Sequence, residues 1–151
     1  MKSYREALLQ RTHSLTSAFS NPSTPLSDLL SNFTTDPVPT AHEHGLAELA
    51  PFLGREFKGH EGLKQYFGLL DEYLVIERME FEDSHRWGVD VELGVVVLRG
   101  SARFRAKETG KGWDETFVYR VELVDLDGGE VKVCRYEVWA DTGALYLARC
   151  V

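Results

Sequence analysis

His42 and His44 stand two residues apart in Thr40-Ala41-His42-Glu43-His44-Gly45, a segment that suits a β-strand. Successive strand side chains point to opposite faces, so the two imidazoles share one face. Imidazole titrates near neutrality, and either ring can serve as a general base or acid if that face meets a ligand. If the face meets water, the pair is two solvated histidines on an exposed strand; both readings stand at this level. As a metal site the pair is incomplete, because zinc takes three or four ligands and no third stands at a convincing spacing, so neither a metal nor a cofactor is expected. Tyr66, Tyr119 and Tyr136 are candidate donors to a ligand oxygen, with aromatic core packing as their alternative role. No nucleophile elbow, phosphate loop or dinucleotide fingerprint occurs; Gly110-Lys111-Gly112 is too short and belongs to a hairpin.

The elements that would position these groups are legible from patterning. Ser3-Tyr4-Arg5-Glu6 fits a capping box, and Tyr4, Leu8, Leu15 and Phe19 follow at helical spacing until Asn21-Pro22 stops the helix. Thr24 as N-cap with Pro25 in the first turn predicts a second helix through Leu26, Leu29 and Leu30. Pro37 and Pro39 precede the histidine segment and predict a short edge strand there, since proline donates nothing to an interior ladder. Residues 45–58 read as a long connection, too apolar at Phe52, Leu53 and Phe57 to be a free loop. A third helix over 60–73 carries Leu63, Tyr66, Phe67 and Leu70 on one face, with Leu74 following.

Strands are expected over 75–83, 90–107, 113–125 and 130–140, joined by glycine-bearing turns at 109–112 and 127–129. Phe117, Tyr119, Val121 and Leu123 alternate with Thr116, Arg120 and Glu122; Val96, Leu98, Ala102 and Phe104 alternate with Arg99, Arg103 and Arg105. The arginines read as a solvated or dimer-facing surface paired with acids. Gly100 interrupts its strand and predicts a bulge. In the last strand Cys134, Tyr136 and Val138 share one face and Arg135, Glu137 and Trp139 the other; one residue of register decides whether Glu137 or Val138 turns inward. Trp87 and Trp113, near strand starts, are candidates for a pocket rim or a dimer contact. Asp141-Thr142-Gly143 begins a helix or turn.

The 151 residues fit one α+β domain spanning 1–151. A net charge of −7 without a basic stripe argues against nucleic acid as a partner. No apolar run of 18 residues or signal-peptide core is present, which predicts no membrane span and a cytoplasmic location. Cys134 and Cys150 are too few for a disulfide framework. Asn32-Phe33-Thr34 matches a glycosylation acceptor, which has no use without secretion.

The stretch from Leu53 through Phe67, with Phe57, Gly59, Gly62, Tyr66 and Phe67 as landmarks, resembles a signature of the nuclear transport factor 2-like superfamily. It is most similar to the SnoaL-like polyketide cyclase branch, and Trp139-Ala140-Asp141 resembles the end of that branch's final strand. The resemblance implies a cone: a curved, mostly antiparallel sheet with N-terminal helices across its concave face and an apolar pocket at its open end. It also implies a homodimer through the outer sheet face. Relatives include ketosteroid isomerase, scytalone dehydratase, epoxide hydrolases, cyclases and non-catalytic modules. The expected function is therefore binding of a small apolar molecule, with cofactor-independent cyclase, isomerase or dehydratase chemistry by acid–base transfer. His42 or His44 would be the base, and Phe52, Phe57, Tyr66, Phe104, Tyr119 and Tyr136 would line the ligand site. Asp36 precedes an early strand, as the isomerase base does, but reads mainly as a turn residue before Pro37. Related enzymes place an acid where Val138 stands, and this departure motivates the alternative of a non-catalytic binding or dimerisation module.

Overall fold

Ser3 opens the first helix with both halves of the capping box: its hydroxyl accepts from the Glu6 amide at 3.1 Å, and its own amide donates to the Glu6 carboxylate at 3.2 Å. The computed structural model describes residues 2–151. Helix α1 (Tyr4–Ser20) buries Leu8 and Leu15 completely, with Tyr4 and Phe19 packed partly against the core. In the short α2 (Leu26–Leu30) the cap residue is Pro25 rather than Thr24, and no side chain caps it. Pro25 has the φ its ring imposes but an extended ψ, so the helix begins one residue later than expected.

Strand β1 (Thr40–His44) is interior, contrary to the edge position expected of it. It pairs antiparallel with β2 (Glu56–Lys58) and parallel with β7 (Glu130–Trp139). Pro37 and Pro39 precede the strand, so every residue of β1 keeps its ladder donor. The connection over 45–58 holds a 3₁₀ turn (Ala47–Leu49) and β2, whose single buried residue, Phe57, is too little for a periodicity to register.

Helix α3 (Gly59–Tyr73) buries Leu63 and Tyr66, then passes directly into β3 (Leu74–Phe81). The expected strand over 90–107 is two: β4 (Gly88–Asp90) turns at Gly94, φ +68°, and pairs back on β5 (Val95–Ala106). Strand β6 (Gly112–Leu126), β7 and helix α4 (Thr142–Arg149) complete the chain, with the Asp141 carboxylate accepting from the Ala144 amide at the start of α4. The sheet runs β2-β1-β7-β6-β5-β3, with β4 beside β3 on the same edge of β5, and only the β1–β7 pairing is parallel.

The sheet is curled, because α1 packs against β7 and also against β3, three strands away. Two ladder irregularities accompany the bend. One lies between Ile76 and Arg78; at the other, Glu122 pairs with Arg135 but Leu123 with Val133, which leaves Cys134 surplus. Val131 and Val133 point inward before this bulge, Tyr136 and Val138 after it. Cys134 therefore does not share a face with Tyr136, and its thiol donates to the Glu122 carbonyl at 3.5 Å. Gly100 is not a bulge: its pairing with Phe81 and Phe117 continues in register, and a Cβ there would lie 2.5 Å from the Phe117 ring. Glycine there makes room for the ring.

The outward arginines of β5 are paired as expected, Arg99 with Glu82, Arg103 with Asp114 and Arg105 with Glu77. Among the described residues no helix is long and apolar enough to cross a membrane.

Two glycines of α3 should respond oppositely to alanine. A Cβ at Gly62 would meet the Phe57 backbone carbon at 2.8 Å, whereas one at Gly68 meets nothing within 4 Å. Gly62→Ala is expected to cost about 1–3 kcal/mol by overpacking. Gly68→Ala is expected to stabilise by about 0.5–1 kcal/mol through helix propensity, both read by urea denaturation.

Candidate functional site

The curled sheet and the helices enclose a cavity of about 580 Å³. The end of α1, α2, α3, the start of β3 and the inner faces of β6 and β7 contribute to its wall. Phe52, Tyr66, Phe104, Tyr119 and Tyr136 line it. Phe57 is buried behind the wall, its ring 5.4 Å from that of Tyr66, so it supports the lining without being part of it. Trp113 also lines the cavity, whereas Trp87 is buried away from it and donates its indole N–H to the Glu82 carbonyl.

His42 and His44 do not face this cavity, which corrects the expectation that either is its base. Strand parity decides this: Ala41 and Glu43 turn inward, and both imidazoles turn to the outer sheet face. There the His42 and His44 rings stack at 4.0 Å, and His44 stacks on Trp139 at 4.2 Å. His44 Nε2 lies 2.9 Å from Glu137, whose other oxygen accepts from Arg135 at 2.6 Å. Burial pushes the Glu137 carboxyl up, but the hydrogen bonds from Arg135 and His44 outweigh it and hold the group below its ordinary range. Burial, then the neighbouring His44, lowers His42. Val138 faces the cavity and Glu137 does not, so β7 offers a phenol inward and no carboxylate. Asp36 is exposed and away from the lining.

The inward carboxylate comes instead from the residue between the two histidines. Glu43 is 7% exposed, lines the cavity, and accepts a 2.6 Å hydrogen bond from the Tyr66 hydroxyl. Its second oxygen receives no hydrogen bond from a described group. Burial raises its carboxyl from 4.5 to about 7; the Tyr66 hydrogen bond opposes the rise and Glu115 adds to it. Tyr66 is pushed well above the ordinary phenol range by burial and then by the Glu43 charge.

Tyr119 and Tyr136 are also raised, chiefly by burial, and their hydroxyls act on one another. A second acid, Glu115 on β6, lines the same space and accepts from Trp113 Nε1 at 2.7 Å and from the Asp141 amide at 3.2 Å. Burial raises it too. Among the described residues no three His, Cys, Asp or Glu side chains are arranged to hold a metal ion.

The arrangement places a carboxyl that changes charge near neutrality beside phenols in a mostly apolar chamber, which is the equipment of acid–base chemistry. Sequence reasoning passed over Glu43 because the facing histidines drew the chemistry. The available signal was the same alternation: whichever face takes His42 and His44, Glu43 takes the other.

A carboxyl raised by folding contributes stability that is present below 4.5 and lost as pH climbs through about 7. Glu43→Gln removes this dependence and keeps an acceptor for Tyr66. The variant should gain about 3 kcal/mol relative to the parent on going from about pH 4 to about pH 8, measured by urea denaturation at each pH.

Neither a protein-family model nor a curated protein matches the sequence. Solved structures do match in shape. An NTF2-like protein from Burkholderia xenovorans superimposes with a TM-score of 0.67 at 21% identity, over 97% of this chain and 98% of that one. A ketosteroid isomerase-like protein from Erwinia carotovora atroseptica gives 0.68 at 12% identity, over 93% and 98%. A candidate polyketide cyclase from Xanthomonas campestris gives 0.71 at 11% identity, over 98% and 100%. With an open, curled sheet and likenesses that run along nearly its whole length, the chain has the nuclear transport factor 2-like fold.

Proposed function

We propose that the protein binds a small, largely apolar molecule in the cavity and moves a proton to or from it at Glu43. Carrying this reading is the position of Glu43: a carboxyl in an apolar chamber, brought to about 7, with one oxygen held by Tyr66 and the other unclaimed. A group titrating near neutrality serves as base and acid in turn, which isomerisation, cyclisation and dehydration without a cofactor all require. Phe52 and Phe104 supply apolar wall, and the Tyr119 and Tyr136 hydroxyls supply donors for an oxygen on the ligand that gains charge during reaction. The isomerase-like and cyclase-like names among the structural neighbours are consistent with such chemistry.

The outer sheet face supports a second part of the reading, a homodimer formed through it. Trp139 stands 42% exposed there on the His44 ring, amid the alternating charges of Glu56, Arg135, Glu137 and Arg120. A reducing, cytoplasmic setting suits the two free cysteines.

Ligand capture tests the first part. Purified protein incubated with a metabolite extract should retain a compound visible by native mass spectrometry. In D₂O the wild type should place deuterium on that compound, and Glu43→Gln should bind it but exchange at least about 100-fold more slowly. Equal exchange by the variant removes Glu43 as the proton carrier. A compound held without any exchange leaves the non-catalytic binding module. For the second part, sedimentation should give twice the chain mass for wild type and the single-chain mass for Trp139→Glu, with unchanged circular dichroism. A wild-type monomer refutes the dimer.

A further inference from the structure

The cavity wall carries more acids than bases. Its lining contains the carboxylates of Glu43, Asp71, Glu77, Glu115 and Asp141 against two cations, Arg78 and Lys107. Both cations are engaged elsewhere. The Arg78 guanidinium lies 3.5 Å from Glu80 and 3.6 Å from Asp114, and the Lys107 ammonium donates to the Asp71 main-chain carbonyl. Three of the acids are also engaged: Glu77 with Arg105, Glu115 with Trp113 and the Asp141 amide, and Asp141 with the Ala144 amide. That leaves Asp71, exposed and with its carboxylate taking no hydrogen bond from a described group, and Glu43, buried and touched by a phenol alone.

An anionic ligand would meet five acids against two cations here. A neutral ligand could offer Glu43 a hydrogen bond but would leave the charge of its ionised form uncompensated. A cation would meet a carboxylate and the aromatic side chains of Phe52, Phe104, Trp113 and Phe117, the two kinds of group with which aromatic cages hold alkylated ammonium compounds. Tyr119 and Tyr136, both buried residues of the lining, carry hydroxyl oxygens that can accept from any N–H the cation carries.

From this we infer that the cavity takes an apolar organic cation, an amine or alkylated ammonium compound, with its charge against Glu43 and its hydrocarbon body against the aromatic wall. The inference rests on the cavity being a small-molecule site and names the class of molecule. Binding must then favour ionised Glu43, so affinity for a permanently charged ligand rises with pH through the range in which Glu43 ionises. The groups that face Glu43 are Tyr66 from α3, Glu115 and Tyr119 from β6 and Tyr136 from β7, and none of them brings a positive charge. His42 and His44 lie on the other face of its own strand.

The test uses two probes of equal shape, para-(hydroxymethyl)phenyltrimethylammonium and para-tert-butylbenzyl alcohol, in which a carbon replaces the charged nitrogen. Calorimetry on the full chain at about pH 8.5 should show the cation bound at least about tenfold tighter than the alcohol. The preference should shrink at about pH 5.5, and Glu43→Gln should remove it while the alcohol still binds. Should that variant fold poorly, the pH dependence of the wild type decides alone. Equal or tighter binding of the alcohol at about pH 8.5 overturns the cationic class and leaves the cavity as a site for neutral molecules. Binding of neither probe at either pH overturns the inference together with the reading of the cavity as a ligand site.

Discussion

The contact on which the interior depends is the hydrogen bond from the Tyr66 hydroxyl to the Glu43 carboxyl, 2.6 Å long and between two buried residues. It joins α3 to β1, the interior strand whose parallel pairing with β7 carries the sheet on to β2. An isolated carboxylate in such a place is costly, and the molecule answers in two ways. The phenol satisfies one oxygen, and the carboxyl moves its titration upward so that it holds its proton more often. Stability and reactivity therefore meet at one atom pair. The burial that makes Glu43 a liability above neutrality also gives it a proton to trade.

Much of the fold is legible because its strands are long. Phe117, Tyr119, Val121 and Leu123 alternate over enough residues for the inward face of β6 to be read directly, and the same holds for β5. The capping box at Ser3 is local, so sequence reports it faithfully. What escapes is short or nonlocal. Strand β2 buries a single residue, and the phase of β7 changes at a surplus residue that no local pattern announces.

The candidate site was half legible for the same reason. Tyr66, Tyr119 and Tyr136 are large residues at core phase, and they line the cavity because residues at core phase must face the concave side. Glu43 was hidden because its burial depends on a partner 23 residues away and on which side of β1 the helices lie. Neither fact is in the Thr40–His44 segment itself. The histidines end as members of an outer ladder, His42 on His44 on Trp139, tied through Glu137 to Arg135 and Glu56. Polar and aromatic groups are thus plentiful on both sides of the sheet, and composition alone does not say which side does chemistry.

The surplus residue in β7 has a consequence for how such a chamber varies. Because Cys134 adds one position between Val133 and Tyr136, excising it would leave Val131, Val133, Tyr136 and Val138 all still directed inward. Only the local kink and twist would relax. The curl of the sheet can thus change by a single inserted or deleted codon while the inward-facing side chains of β7 stay inward.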